Sequence, residues 1–368
     1  HESALKLKYF YCKISQEPKM GEKKNTEYKF SFGVWNISEG SDPFGPPVRE
    51  PYSFEEKIGL YKKLGFDGVQ FHDDDVVPGI NELSRDQIIS RARQVRKLLD
   101  SRGLIAEFVA PRLWEDPKTI DGAFTSNRSE EREYAIKRAL TTIDIAKELG
   151  TNKIVLWLAR EGTYIRESKD PKIAFDRITY AINKMLEYDK EIKILVEPKP
   201  NEPMDQAYIP TVGHAIALAY KTIDPSRVGV LVESAHCILA GLDPSDEMAY
   251  ALWHNTLWSV HLNDQNGLKF DEDRAFGSVD LRRAFNQVRV LEEGGYGRNG
   301  EFVGLDVKAL RTQPREISTK HLSNSRELFL YLVEKVRTLD KKKEKEFIEA
   351  RDYEGLDNFI LKHLMSIN

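Results

Sequence analysis

Glu197 and Lys199 stand two residues apart where an apolar run, Ile192-Lys193-Ile194-Leu195-Val196, meets Pro198, Pro200 and Pro203. Side chains at i and i+2 of a strand face the same way, so a carboxylate and an ammonium aim at one spot. Further polar groups end or follow similar runs: Phe71-His72-Asp73-Asp74-Asp75, Glu233-Ser234-Ala235-His236, His261-Leu262-Asn263, Lys269-Phe270-Asp271-Glu272-Asp273 and Asp306-Val307-Lys308. If Glu197, Glu233 and Asp306 meet at one place, like charges raise each other's pKa and destabilise the fold unless a cation lies among them. Adding His236, Asp271 and Asp273 makes enough ligands for two divalent ions, with Glu233 able to bridge them. Carboxylate oxygens suit Mg2+ or Mn2+, and each imidazole moves the preference toward Mn2+, Co2+ or Zn2+. The chemistry expected is that of a metal-dependent enzyme.

The elements that must position these groups are short β-rich runs alternating with helix-length segments. The runs are 29–35, 68–72, 105–110, 153–158, 192–197, 228–233, 257–263 and 301–306, near-continuously apolar as for strands buried on both faces. Between them, 3.6-type spacing predicts helices over 53–64, 86–102, 129–149, 170–188, 211–221, 246–254 and 280–293, several with Ser, Thr or Asp before them or Gly after. This pattern predicts an α/β chain, a (β/α)8 TIM barrel with a short C-terminal helical extension, whose strand ends converge on one face. A doubly wound sheet would want a Gly-rich phosphate turn after a strand, and none is present. Residues 1–27 are expected to be an N-terminal tail, partly an expression remnant, 28–317 the barrel, and 318–368 the extension.

Composition narrows the partners. Lys and Arg (55) nearly balance Asp and Glu (59), for a net charge of −4, so no basic field exists to recruit nucleic acid. No run reaches the ~18 apolar residues of a membrane span. Two cysteines, Cys12 and Cys237, make no disulfide framework. A cytoplasmic globular protein is expected, binding neither nucleic acid nor membrane.

The same residues also resemble the xylose isomerase family, in its shorter-chain class, from about Ser31 to Thr312. The matching pieces are Phe-His-Asp-Asp-Asp at 71–75, Gly122-Ala-Phe-Thr-Ser-Asn127, Val155-Leu-Trp157 with Arg160-Glu161-Gly162, Glu197-Pro-Lys-Pro-Asn-Glu-Pro203, Pro210-Thr-Val-Gly-His214, Leu262-Asn263 with Gln265-Asn266-Gly267, Asp271-x-Asp273 and Arg311-Thr312. The resemblance implies a homo-oligomer, tetramer or dimer, that interconverts an aldose and its ketose by a metal-assisted 1,2-hydride shift. It implies two divalent ions per subunit (Mn2+, Co2+ or Mg2+). His72 would open the sugar ring with Asp75 orienting it, and Lys199 would hold the carbonyl oxygen. Glu197, Glu233, His261 and Asp306 would bind the first ion, and Glu233, His236, Asp271 and Asp273 the second. Lys308 would lie close by, Trp35, Trp114 and Trp157 would contact the monosaccharide, and Phe44 would reach into a neighbouring subunit's pocket.

Two places depart from the family pattern. His261 stands where the family keeps an aspartate, which removes one negative charge and favours Mn2+ or Co2+ over Mg2+. L-rhamnose isomerase-like relatives resemble this chain there. Ala110-Pro111-Arg112 replaces small hydroxyl and amide residues; Arg112 is expected to pair with Glu115 or Asp116, or else to serve an anionic substituent. The substrate expected is therefore xylose or another sugar, L-rhamnose-like or a modified hexose. An epimerase on the same scaffold is the alternative. A metal-nuclease barrel would need a basic face, and a catalytically dead binding protein would need more lost ligands than His261 alone.

Overall fold

A computed structural model describes residues 27–367 except Pro43; the expected tail and Cys12 therefore lie outside the described residues, apart from Glu27. Eight parallel strands form the barrel: β1 Lys29–Gly33, β2 Gly68–His72, β3 Ile105–Ala110, β4 Lys153–Trp157, β5 Lys193–Glu197, β6 Val228–Glu233, β7 Leu257–Leu262 and β8 Phe302–Leu305. They close in the order β1-β8-β7-β6-β5-β4-β3-β2. The strands are mostly buried and β6 is buried throughout, as both faces must be when helices wrap a filled barrel.

One principal helix follows each strand: α1 Phe54–Leu64, α2 Arg85–Ser101, α3 Ser129–Leu149, α4 Pro171–Tyr188, α5 Val212–Ala219, α6 Pro244–Trp253, α7 Leu281–Gly294 and α8 Lys320–Thr338. Their starts are set by side-chain caps. Ser53 and Glu56 form a reciprocal capping box on α1, as do Ser84 and Gln87 on α2, satisfying donors a helix N-terminus leaves free. Gly65 ends α1 in the left-handed region, φ 83°, which a glycine adopts without a Cβ clash.

Phe329 of α8 packs edge-on against Tyr28 and Phe30 of the β1 region, ring centroids 5.0 and 5.6 Å apart. The helical layer thus continues beyond residue 317. Two more helices, α9 Lys341–Ala350 and α10 Tyr353–Leu364, complete the C-terminal part. Arg289 of α7 binds Glu344 of α9, and Phe347 meets Phe359 across α9 and α10. Among the described residues, no helix is long and apolar enough to cross a membrane.

Two irregularities matter for the interior. Val69 and Gln70 of β2 pair with Ala106 and Phe108 of β3, so Glu107 has no partner in that ladder. Likewise Val230 and Leu231 of β6 pair with Leu257 and Ser259 of β7, skipping Trp258. An extra residue of this kind re-aims the side chains around it.

Candidate metal centre

The strand ends open into a cavity of about 900 Å3. Its lining includes Glu197 at the end of β5, Glu233 at the end of β6, His261 in β7 and Asp306 just past β8. His236 enters from the helical turn Ser234–Leu239 that follows β6, and Asp271 and Asp273 from the loop after β7. Lys199, two residues beyond Glu197 and past the end of β5, borders the same cavity.

Three groups of ligand atoms each lie within 4.8 Å: Glu197, Glu233 and His236; Glu233, His261 and Asp306; and Glu233, Asp271 and Asp273. Glu233 belongs to all three. His236 Nε2 lies 3.2 Å from both Glu233 and Asp271, and His261 Nδ1 lies 3.4 Å from both Glu197 and Glu233. His236 Nδ1, His261 Nδ1 and Asp271 Oδ1 are buried with no hydrogen bond. Buried polar atoms without partners are rare, and three of them within one acidic cluster fit residues that would hold a divalent cation.

The electrostatics carry the same mark. Burial lifts the Glu233 carboxyl well above the usual carboxylate range, with Asp271 and Asp306 adding to the push against His236 and His261. Burial likewise raises Asp273, helped by the charge on Asp271. Burial would also raise Glu197, but the His261 ring outweighs it and brings the carboxyl down to about 2. Burial works against a charge on His261, yet Glu197, Glu233 and Asp306 raise its pKa well above the usual imidazole value. Lys199 is raised despite burial, because Asp271 at 2.9 Å and Glu202 at 3.1 Å hold its ammonium. Neighbouring carboxyls driven apart in this way are characteristic of functional sites.

The Asp triplet after β2 divides its work. Asp73 is buried against Arg138, 2.8 Å away. Asp74 binds Arg112 at 2.8 Å. Asp75 stands behind His72, accepting from its backbone N at 2.8 Å and lying 3.1 Å from Nδ1. Burial opposes the charge on Asp75, but His72 and Arg112 hold its carboxyl below the usual range. Arg112 meets Glu115 at 3.2 Å, as expected, while Asp116 instead caps the turn at Lys118. The main partners of Arg112 are Asp74 and the His72 ring, with Nη2 2.7 Å from Nδ1. With two aspartates and Glu115 around it, Arg112 is not a free receptor for an anionic substituent.

Aromatic rings wall the cavity. Trp35 stacks on His72 with centroids 4.2 Å apart, and Trp114 lies edge-on to both His72 and Trp157. Lys199 Nζ sits 5.2 Å from the centre of the Trp157 ring. Lys308 is ion-paired with Asp273. Phe44 stands at the rim of its own chain's cavity, 70% exposed, with its ring 5.0 Å from that of Phe270.

Several contacts that position this set escaped the sequence reading. Trp35 Nε1 and Asn36 Nδ2 donate to Asp306 Oδ1 at 3.0 and 2.7 Å, turning Oδ2 toward His261. Asn263 donates to Glu233 at 2.9 Å and to Asp273 at 3.3 Å. Glu202 links Lys199 to the Asp271 backbone. Glu202 and Asn263 lay in motifs already singled out, and Trp35 was expected only as a ring contacting the sugar. Gln70 and Glu107, buried below the mouth, gave no signal.

A closed (β/α)8 barrel with a candidate metal centre at the C-terminal ends of its strands defines the class. The chain belongs to the xylose isomerase-like TIM barrel family, whose profile matches residues 58–296. It is similar to the crystal structure of a D-tagatose 3-epimerase-like protein at 17% identity and a TM-score of 0.60, over 84% of this chain and 98% of that one. A D-psicose 3-epimerase solved in the presence of D-fructose gives 15% and 0.61, over 83% and 99%. A xylose isomerase domain protein from Alicyclobacillus acidocaldarius subsp. acidocaldarius gives 14% and 0.57, over 84% and 100%. At such identities the likeness shows the fold. The match is to this wider family, and two of these three structures carry epimerase names.

Proposed function

We propose that the protein is a metal-dependent enzyme that moves hydrogen between positions of a sugar, as an isomerase or an epimerase. One observation carries this reading: Glu197, Glu233, His261 and Asp306 converge on one cavity that Lys199 and the Asp75-backed His72 also reach. In the proposal, Glu197, Glu233, His261 and Asp306 hold one divalent ion and Glu233, His236, Asp271 and Asp273 a second. Bound there, the ions supply the positive charge that lets these acids stand together and that polarises sugar oxygens. Mn2+ or Co2+ suits two imidazoles among carboxylates better than Mg2+ does.

Two finer readings follow from different observations. Lys199 and the His72–Asp75 pair favour an aldose–ketose isomerase. There, a hydride moves from C2 to C1 while a proton moves from O2 to O1. His72 assists ring opening, Lys199 donates a hydrogen bond to the carbonyl oxygen, and Trp35, Trp114 and Trp157 keep water from the reacting carbons. The epimerase names of the similar structures favour a ketose epimerase. In that case Glu197 and Asp306, on either side of His261, act as base and acid at one carbon.

The deciding experiment strips the protein with a chelator, reloads it with Mn2+, Co2+ or Mg2+, and follows panels of aldoses and ketoses by NMR. Ketose from an aldose supports the isomerase. Conversion of a ketose to its C3 epimer supports the epimerase. Turnover of neither kind with any of the metals sinks both.

A further inference from the structure

Below the mouth, the barrel interior holds a buried carboxylate that the proposed chemistry does not use. Glu107 is 3% exposed and occupies the unpaired position between β2 and β3. Leaving a charge there is costly unless it is hydrogen-bonded. Ser259 Oγ donates to its Oε1 at 2.7 Å, the Ser31 hydroxyl donates to Oε2, and Gln70 Nε2 lies 3.1 Å from Oε2. The skip in pairing at Trp258 is what brings Ser259 into register opposite Leu231.

A carboxylate only accepts hydrogen bonds, so Glu107 fixes which way the Gln70 amide points. Its nitrogen faces Glu107 and Ser31 Oγ, each 3.1 Å away, and its oxygen faces His261 Nε2 at 3.1 Å. An amide oxygen also only accepts, so His261 must carry a proton on Nε2. The lone pair of the neutral ring is then on Nδ1, the atom that faces Glu197, Glu233 and Asp306 and has no hydrogen bond. Gly304 leaves the space: a Cβ there would stand 2.6 Å from Gln70 Nε2 and 2.3 Å from the Val260 carbonyl.

We infer that Gln70 and Glu107 are positioning residues that hold the His261 ring in the tautomer able to bind a metal ion through Nδ1. The inference rests on the metal centre proposed above. It also says why the shell belongs to a histidine: an aspartate at 261 would need no tautomer chosen for it. Partners of this kind behind a ligating imidazole are worth about 10- to 100-fold in metal affinity.

The test uses the full chain, stripped with a chelator and titrated with Mn2+ in competition with a fluorescent chelator. Gln70→Met is expected to weaken Mn2+ binding about 10- to 100-fold. Glu107→Gln, which lets the amide turn over, weakens it too, and the double variant is no weaker than Gln70→Met alone. In a His261→Asp background, Gln70→Met leaves the affinity unchanged within about twofold, because no imidazole remains to be oriented. Parent-like affinity in Gln70→Met, or an equal loss in the His261→Asp background, overturns the inference. Should these variants fail to fold, 15N-histidine NMR of the Zn2+-loaded parent decides it: a His261 proton on Nε2 supports the inference, and one on Nδ1 overturns it. A parent that binds no Mn2+ removes the proposed function together with this inference. A parent that binds Mn2+ while Gln70→Met binds equally well removes the inference alone.

Discussion

On the β5–β6 side of the mouth, acids are held by cations and by one another: Glu197 and Glu233 against two imidazoles, Lys199 between Asp271 and Glu202. On the β2–β3–β7 side, groups are held by a chain of hydrogen bonds and by ion pairs. His261 is backed by a neutral amide, the amide by Glu107, and Glu107 by two hydroxyls, while Arg112 spends its charge on Asp74 and Asp75. The first side depends on an ion to offset its repulsion. The second depends on hydrogen-bond direction.

The largest effect should come from the residue both sides share. Glu233→Ala is expected to abolish detectable Mn2+ uptake and turnover together, a greater loss than the ~10- to 100-fold attached to an outer partner; isothermal titration and the sugar assay check it. Retained uptake would show that the sides do not meet at Glu233.

His261→Asp sharpens the contrast by converting the second side to the logic of the first. The expected result is an affinity ratio moved by about tenfold from Mn2+ toward Mg2+, read by metal competition. An unchanged ratio would mean that His261 contributes no ligand atom.

Removing the metal exposes groups of both sides to pH. The raised His261 pKa means the folded state keeps a proton that the unfolded state loses near ~6.5, so that stabilisation is lost as pH rises through the folded value. Raised Glu233 acts in the same direction: the folded state keeps its proton above the pH where the unfolded chain loses it, near ~4.3, so stability again declines as pH rises through the folded value. Glu197, brought down to about 2, adds stability that is lost only as pH falls toward that value. Melting temperatures of chelator-treated protein should therefore drop from about pH 5 to about pH 8, and added Mn2+ should restore them. A metal-free melting temperature that rises across that window would contradict the charges assigned to His261 and Glu233.

The smallest effect is expected at Arg112. Arg112→Lys loosens the fork that spans His72 and Asp74, lowering kcat by a fewfold. It should leave discrimination between a sugar and its phosphate unaltered, because the guanidinium is already matched by carboxylates. Loss of a preference for the phosphorylated sugar would reopen the anion-receptor reading.

The difference between the sides also decides what could be read from sequence. Runs buried on both faces and their capped helices made the barrel legible, and strand-end groups placed Glu197, Glu233, His261 and Asp306 in one mouth. Those positions obey strand alternation and local spacing. Glu107 and Ser259 do not: Glu107 is itself the residue skipped in the β2–β3 ladder, and Ser259 follows the skip at Trp258, features that depend on partner strands and leave no pattern in the sequence. Arg112 shows a related gap. Its neighbours Glu115 and Asp116 were visible, but its main partner, Asp74, lies 38 positions back in the chain.

Trp35 and Asn36 grip Asp306 from 271 and 270 positions away, and β1 pairs with β8 directly beneath them. Contacts of such sequence separation form only after the intervening chain has been gathered in, at a high entropic cost of loop closure. Seven strands of this barrel would therefore leave Asp306 without its holders. The site is locked at the seam where the first strand meets the last, so its assembly reports that the whole circle has closed.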